Sequence, residues 1–239
     1  MFIYKALLCV VLGIVISKKG ILDFRGSFAA IIIGIAIVYF AGLTWLSLLL
    51  VFFLIGYLST GYKYSKKAML SVAENNHGRR SAANVLANGL VPTFVAVFWY
   101  FNSNDAMNPL LIASYIAAVA TVTGDTLSSE LGVLSKNNPY LITTFERVPT
   151  GTHGGVSPLG ELVGIAGTLL IGISAWALGL ADINVAILAA VVGGSVGFHV
   201  DSYLGAIFER KGMIGNATVN FLSTIAGAFT GLCVVLFWI

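Results

Sequence analysis

The stretch ATVTGDTLSSELG, from Ala120 to Gly132, sets Asp125, Ser129 and Glu130 directly behind the apolar run NPLLIASYIAAV. Asp125 and Ser129 stand at i, i+4 and so share a helix face. A second acid, Asp201, followed by Ser202, interrupts the apolar string GFHVDSYLGAIF. Asparagines recur at the same i, i+4 spacing, Asn84 with Asn88 and Asn216 with Asn220. An acid at the centre of a membrane span costs about 2.5–3.5 kcal/mol on insertion scales, so it faces a cavity or a partner. Asparagine between membrane helices also serves as interhelical glue, and a lone Asp can pair with a nearby Arg or Lys. Asp, Asn and Ser from several helices at one depth point instead to a polar reaction site. Asp125 and Asp201 are its candidate metal ligands. Asp125, Asp201, Glu130 and Ser129 are its candidate catalytic residues.

A second element is TTFERVPTGTHGGVSPLGE, from Thr143 to Glu161. Gly151, Gly154 and Gly155 let the backbone approach a ligand closely. With Thr152 and Ser157 they lead into a helix whose N-terminal N–H groups form a ready anion site. The string lacks the Gly-Lys-Ser/Thr ending of a P-loop, and no strand before it makes it a dinucleotide fingerprint. Gly164 and Gly167, further along, are expected to serve close helix packing. AENNHGRRSAAN brings Arg79 and Arg80 to the mouth of the next helix, and Arg147 precedes the glycine string. Arginine binds phosphate oxygens with a fixed fork of donors. Mg²⁺ takes oxygen ligands, commonly one or two carboxylates completed by phosphates. Asp and Asn side chains beside a polyphosphate therefore suit magnesium. His77, His153 and His199 have no zinc-ligand spacing.

The elements that must position these residues are membrane helices. Only 10 % of the 239 residues are charged and 58 % are hydrophobic. Mean hydropathy is +0.93, whereas soluble domains carry about 25 % charged residues. A bilayer core needs about 20 apolar residues per helical crossing. Runs of that kind fall near 2–17, 27–42, 44–61, 84–101, 109–126, 161–180, 183–206 and 217–238. The expected fold is an all-α polytopic integral membrane helix bundle of about eight transmembrane helices, forming one domain over 1–239. The apolar stretches are continuous, which argues against a β-barrel. The first run lacks a small-residue cleavage site and is read as a retained helix. One alternate set of loops (18–26, 62–83, 132–160 and 207–216) holds every Lys and Arg except Lys5. By the positive-inside rule that set is cytoplasmic and both termini lie outside. The polar residues then face the cytoplasm, in the cell membrane if the source is prokaryotic. The basic face suits anionic bilayer lipid, and no nucleic-acid partner is expected. Cys9 and Cys233 sit in apolar runs and behave as small hydrophobes.

The strings NVLANG, GDTLSSELG, VPTGTHGGVSPLGE, DSYLGA and NATVNFLSTIAGA resemble one polytopic membrane family. It includes the chloroplast phytyl-phosphate kinase of vitamin E synthesis and the animal transmembrane protein 19. The resemblance runs from about Lys63 to the C-terminus, and the layout is similar to that of the CTP-using dolichol kinases. It implies transfer of a phosphoryl group from CTP, or another nucleoside triphosphate, to a prenyl-phosphate lipid, with Mg²⁺ as cofactor. Matched motif by motif, it points to Asn84, Asn88, Asp125, Ser129, Glu130, Gly151, Gly154, Gly155, Ser157, Asp201, Ser202 and Asn220. His153 departs from the expected small polar or acidic residue. Ala217 replaces the acid more usual beside Asn216. Both departures argue against metal ligation at the flanking positions. Two alternatives stay open at this point: a lipid-phosphate cytidylyltransferase built from the same residues, and a membrane transporter.

Overall fold

In hydrocarbon every backbone N–H and C=O must be satisfied within its own segment, so the apolar runs fold as helices. A computed structural model describes residues 2–73 and 79–238. His77 lies outside the described residues. The chain begins with α1 (Phe2–Lys18), α2 (Phe24–Phe40), α3 (Leu43–Gly61) and a short α4 (Tyr64–Met69). Next come α5 (Ala82–Phe101) and α6 (Asn108–Gly132), the latter entered by a 3₁₀ turn at Asp105–Met107. Strands β1 (Tyr140–Leu141) and β2 (Gly155–Val156) pair antiparallel, Tyr140 opposite Val156. Then follow α7 (Pro158–Ala177), α8 (Ile183–Glu209) and α9 (Asn216–Trp238).

Among the described residues, six helices are long and apolar enough to cross a membrane: α3, α5, α6 with its 3₁₀ turn, α7, α8 and α9. α2 is apolar but shorter, at 17 residues. The structure thus supports an all-α membrane bundle and gives six candidate crossings where the sequence suggested about eight.

α6 is the axis of the bundle. Inside its apolar window 83 % of residues are buried, whereas no other span exceeds 39 %. It packs on α3, α5, α7, α8 and α9. That is feasible because its inner faces are small, with Ala113, Ala117, Ala120 and Thr121 all fully buried, and because its neighbours offer glycine. A Cβ at Gly227 or Gly231 of α9 would collide with Thr121 or Ala117. Gly167 of α7 admits Leu127, whose Cδ1 would stand 2.6 Å from a Cβ there. The packing role expected for Gly164 and Gly167 holds. Dispersion and close backbone approach, rather than a hydrophobic drive, hold such helices together in lipid.

One boundary matters for the site. α6 does not end near Thr126, as the apolar run suggested, but continues to Gly132. GDTLSSE is therefore helical and is held by α7, whose Gly160 lies against Ser128 and Gly132. The C-terminal end of α6 gathers the N-termini of α5, α7 and α9 and the C-terminal ends of α3 and α8.

Candidate active site

Capping geometry fixes the helix ends that build the site. Ser81 caps α5, accepting from the Asn84 N–H at 3.5 Å. Ser157 caps α7, accepting from Gly160 N–H at 3.1 Å, while its hydroxyl donates to the Gly132 carbonyl at 3.0 Å. One side chain thereby ties the start of α7 to the end of α6. Asp23 caps α2. The Asp23 N–H donates to the Arg80 carbonyl and the Arg80 N–H to the Ile21 carbonyl, both at 3.2 Å. The arginine segment is thus strapped to the α1–α2 turn. The Arg80 guanidinium lies over Gly56 of α3, 3.4 Å from where a Cβ would sit. It also approaches the Thr60 hydroxyl at 3.4 Å. Pro92 of α5 cannot donate to the carbonyl one turn back, which belongs to Asn88.

These ends surround a cleft of about 660 Å³. Arg79, Arg80, Asn84, Asn88, Asp125, Ser129, Glu130, Gly151, Thr152, Gly154, Gly155, Ser157, Asp201, Ser202 and Asn220 all line it. Both asparagine pairs turn toward it together, as their spacing requires. Asp125 and Asp201 are in direct side-chain hydrogen-bond contact, from α6 and α8. Two acid groups in contact need a shared proton or a cation between them. Asp201 Oδ2 also accepts from the Ser223 hydroxyl at 3.0 Å. The Asn220 carboxamide lies between Asn88 and Asp201: its nitrogen is 3.4 Å from Asn88 Oδ1, and turned over it donates to Asp201 Oδ2 at 3.2 Å. Among the described residues no group of three or more His, Cys, Asp and Glu has metal-holding geometry. The acid pair itself fits a hard cation that takes its other ligands from phosphate and water.

One expected site residue lies away from the cleft, and two others make structural contacts as well as lining it. Arg147 does not reach the cleft. It lies on the β1–β2 hairpin, donating to the Tyr140 hydroxyl at 3.1 Å and resting 5.2 Å from that ring. The Ser157 hydroxyl lines the cleft but is engaged in capping. Glu130 has both carboxylate oxygens taken. Oε1 accepts from the Thr60 hydroxyl at 2.7 Å, and Oε2 from the Lys67 ammonium at 2.5 Å. Lys67 is fully buried and also donates to the Ser59 and Thr60 carbonyls at the end of α3. Glu130 thereby braces α6 against α3 and α4 while lining the cleft.

Two residues escaped the sequence reading. Glu209 lines the cleft and lies within electrostatic reach of Asp125 and Asp201. In the sequence it looks like an interfacial charge beside Arg210 and Lys211. It ends a π-helical turn at Gly205–Glu209, a feature frequent at functional sites. His153, to which the sequence assigned no role, faces Glu209 at 3.2 Å. That contact and Gly154 dock the glycine string on α8. Gly154 has φ +77°, and a Cβ there would lie 2.6 Å from the Ala206 nitrogen, so no larger residue fits.

Comparison with known proteins adds the following. The family described as integral membrane protein DUF92 matches residues 7–228. An uncharacterized membrane protein of Methanocaldococcus jannaschii is 40 % identical over 98 % of this chain and 94 % of its own length. Protein PGR of Arabidopsis thaliana is 32 % identical over 82 % of this chain and 74 % of its own. The chloroplastic protein VTE6 of the same plant is 30 % identical over 83 % and 63 %. No solved structure matches the chain.

Proposed function

We propose that this chain, which belongs to the DUF92 family of integral membrane proteins, is a membrane phosphotransferase. It passes the terminal phosphoryl group of a nucleoside triphosphate to a prenyl monophosphate, giving the diphosphate. CTP is the donor that the motif resemblance implies. The observation that carries the reading is the contact pair Asp125–Asp201, set with Arg79, Arg80 and the asparagines in one cleft at one end of a membrane bundle. A volume of about 660 Å³ falls in the range of about 300–1,000 Å³ usual for small-molecule sites. A transporter site is expected nearer the midplane, whereas these groups crowd one end.

Phosphoryl transfer asks the protein mainly for positioning and charge neutralisation. The lipid phosphate is already an oxyanion, so no general base is needed. One of its oxygens bonds to the γ-phosphorus, the bond from that phosphorus to the β–γ bridging oxygen breaks, and the nucleoside diphosphate leaves. Arg79 and Arg80 face the phosphate oxygens. The backbone of Gly151, Gly154 and Gly155 admits the polyphosphate closely. Asn84, Asn88 and Asn220 offer neutral donors and acceptors that tolerate both anions and their counter-ions. Asp125 and Asp201 would hold Mg²⁺, which when bound supplies the positive charge that polyphosphate chemistry needs. The balance of charge favours this reading, since Asp125, Asp201 and Glu209 would otherwise oppose a polyphosphate with two arginines in the cleft.

Purified protein given prenyl monophosphate, magnesium and γ-labelled CTP is expected to move label into the lipid and release CDP. Release of pyrophosphate would identify a cytidylyltransferase instead. No transfer with any nucleotide over a range of chain lengths would reject the phosphotransferase.

The same reading places the cleft at the cytoplasmic face, with α1 and α2 crossing as the two remaining helices and both termini outside. A cysteine at position 105 should then label from outside intact cells and one at position 136 only after permeabilisation, in a background without Cys9 and Cys233. The reverse pattern would overturn the side assignment.

A further inference from the structure

A second cavity begins where the polar cleft ends. It is a groove of about 100 Å³ between α2, α3 and α5. Arg80, Asn84 and Asn88 line both it and the cleft. Beyond these three residues the walls are apolar, made by side chains such as Ala30, Ile33, Leu46, Leu49 and Phe53. The helix directions orient it. Gly56 of α3 lies beneath the Arg80 guanidinium, and the groove runs from there back along α3 toward Leu46. From Phe53 to Leu46 is about 10 Å at 1.5 Å per residue. Gly89 of α5 lets Ile33 in close, since a Cβ there would meet Ile33 Cδ1 at 2.6 Å.

We infer that this groove seats the proximal part of the substrate's single prenyl chain, with the phosphate held at Arg80, Asn84 and Asn88, and that Ala30 and the α3 residues facing it set acceptor preference. The inference rests on the phosphotransferase reading for the identity of the phosphate-bearing lipid. Continuity with the polar cleft commits the occupant: whatever fills the groove places its head among the phosphate-facing residues. A volume of about 100 Å³ suits part of one chain and not the two of a bilayer phospholipid. In a bilayer the chain gains no hydrophobic free energy by leaving lipid for protein, since both are apolar, and only packing discriminates. The groove therefore acts on positioning and selectivity more than on raw affinity. A chain longer than the groove leaves it at the Leu46 end.

Two measurements test this. First, a prenyl monophosphate carrying a diazirine on its chain is irradiated with the purified protein in nanodiscs of uncharged lipid. Adducts are expected on α2, α3 and α5 at groove positions, competed away by unlabelled prenyl phosphate and not by phosphatidic acid. Adducts scattered over lipid-facing helices, or competed equally by phosphatidic acid, overturn the inference. Second, Ala30→Leu is expected to lower the ratio of kcat/KM for a long-chain acceptor to that for a five-carbon prenyl phosphate at least tenfold, mainly through KM. Ile32→Phe, on the exposed side of α2, is expected to leave that ratio unchanged. An unchanged ratio in well-folded Ala30→Leu also overturns the inference. The two readings fail separately. Groove adducts without turnover sink the phosphotransferase and leave the groove, whereas turnover with adducts elsewhere does the opposite.

Discussion

Asp125→Asn is expected to insert and purify as wild type does and to lose about 10²–10³ in turnover, the usual cost of removing one group that stabilises transition-state charge. The side chain is conserved in size, and α6 is held by its small-residue faces and by Ser157, none of which involves the Asp125 carboxylate. What changes is the acid pair. Asp125 and Asp201 are in contact, and replacing one carboxylate by an amide removes a negative charge where the cation is needed. A purely structural acid would behave differently. Asparagine would keep some hydrogen bonding and cost on the order of 1–3 kcal/mol in stability, with activity retained in the folded fraction. Asp201→Asn should match Asp125→Asn, because the two carboxyls act as one unit. Ser128→Ala should be mild, since its hydroxyl only donates back to the Asp125 carbonyl at 3.2 Å. Turnover is to be compared at equal amounts of monodisperse protein. Near wild-type turnover in Asp125→Asn would show that GDTLSSE is scaffolding.

The acid pair was legible in the sequence because burial makes acids conspicuous. An Asp inside an apolar string has few explanations, and two of them at one predicted depth have fewer. The i, i+4 asparagines were legible for the same reason, as was the glycine string. What stayed hidden depends on tertiary contacts or on backbone irregularity. Lys67 reads as one more cytoplasmic lysine of the positive-inside pattern, yet it is fully buried. Its partner Glu130 is 63 residues away, too far for any local pattern to connect them. Glu209 sits in a charged stretch with Arg210 and Lys211, and the π-turn that ends α8 leaves no mark in the sequence. Arg147 shows the opposite error. Its place in the chain, beside the glycine string, suggested phosphate contact, but the hairpin turns it onto Tyr140. The end of α6 was misjudged because hydropathy marks where lipid contact stops, not where a helix stops. Polar residues facing a cleft continue the helix beyond the apolar run.

Lys67→Met is expected to destabilise the protein by about 3–5 kcal/mol, the cost of leaving one member of a buried ion pair unpaired. The loss extends beyond one contact. The Lys67 ammonium satisfies the Ser59 and Thr60 carbonyls at the end of α3 as well as Glu130 Oε2. Methionine fills a similar volume and satisfies none of them. The double variant Lys67→Met, Glu130→Gln removes the orphaned charge and should recover part of the stability, since replacing both partners of a buried pair is far gentler than removing one. Thermal unfolding in detergent, with the single and double variants compared, measures this directly. An unchanged midpoint for Lys67→Met would show the pair to be energetically idle. The same series separates bracing from chemistry. Glu130→Gln can keep hydrogen bonds to Thr60 and Lys67 while losing the charge. If Glu130 only braces Thr60, and through it Arg80, turnover per folded molecule should fall far less than in Asp125→Asn, while the melting temperature drops. A fall in turnover as deep as that of Asp125→Asn, with stability intact, would instead place Glu130 among the groups that act on the phosphates and make Lys67 the residue that sets its charge.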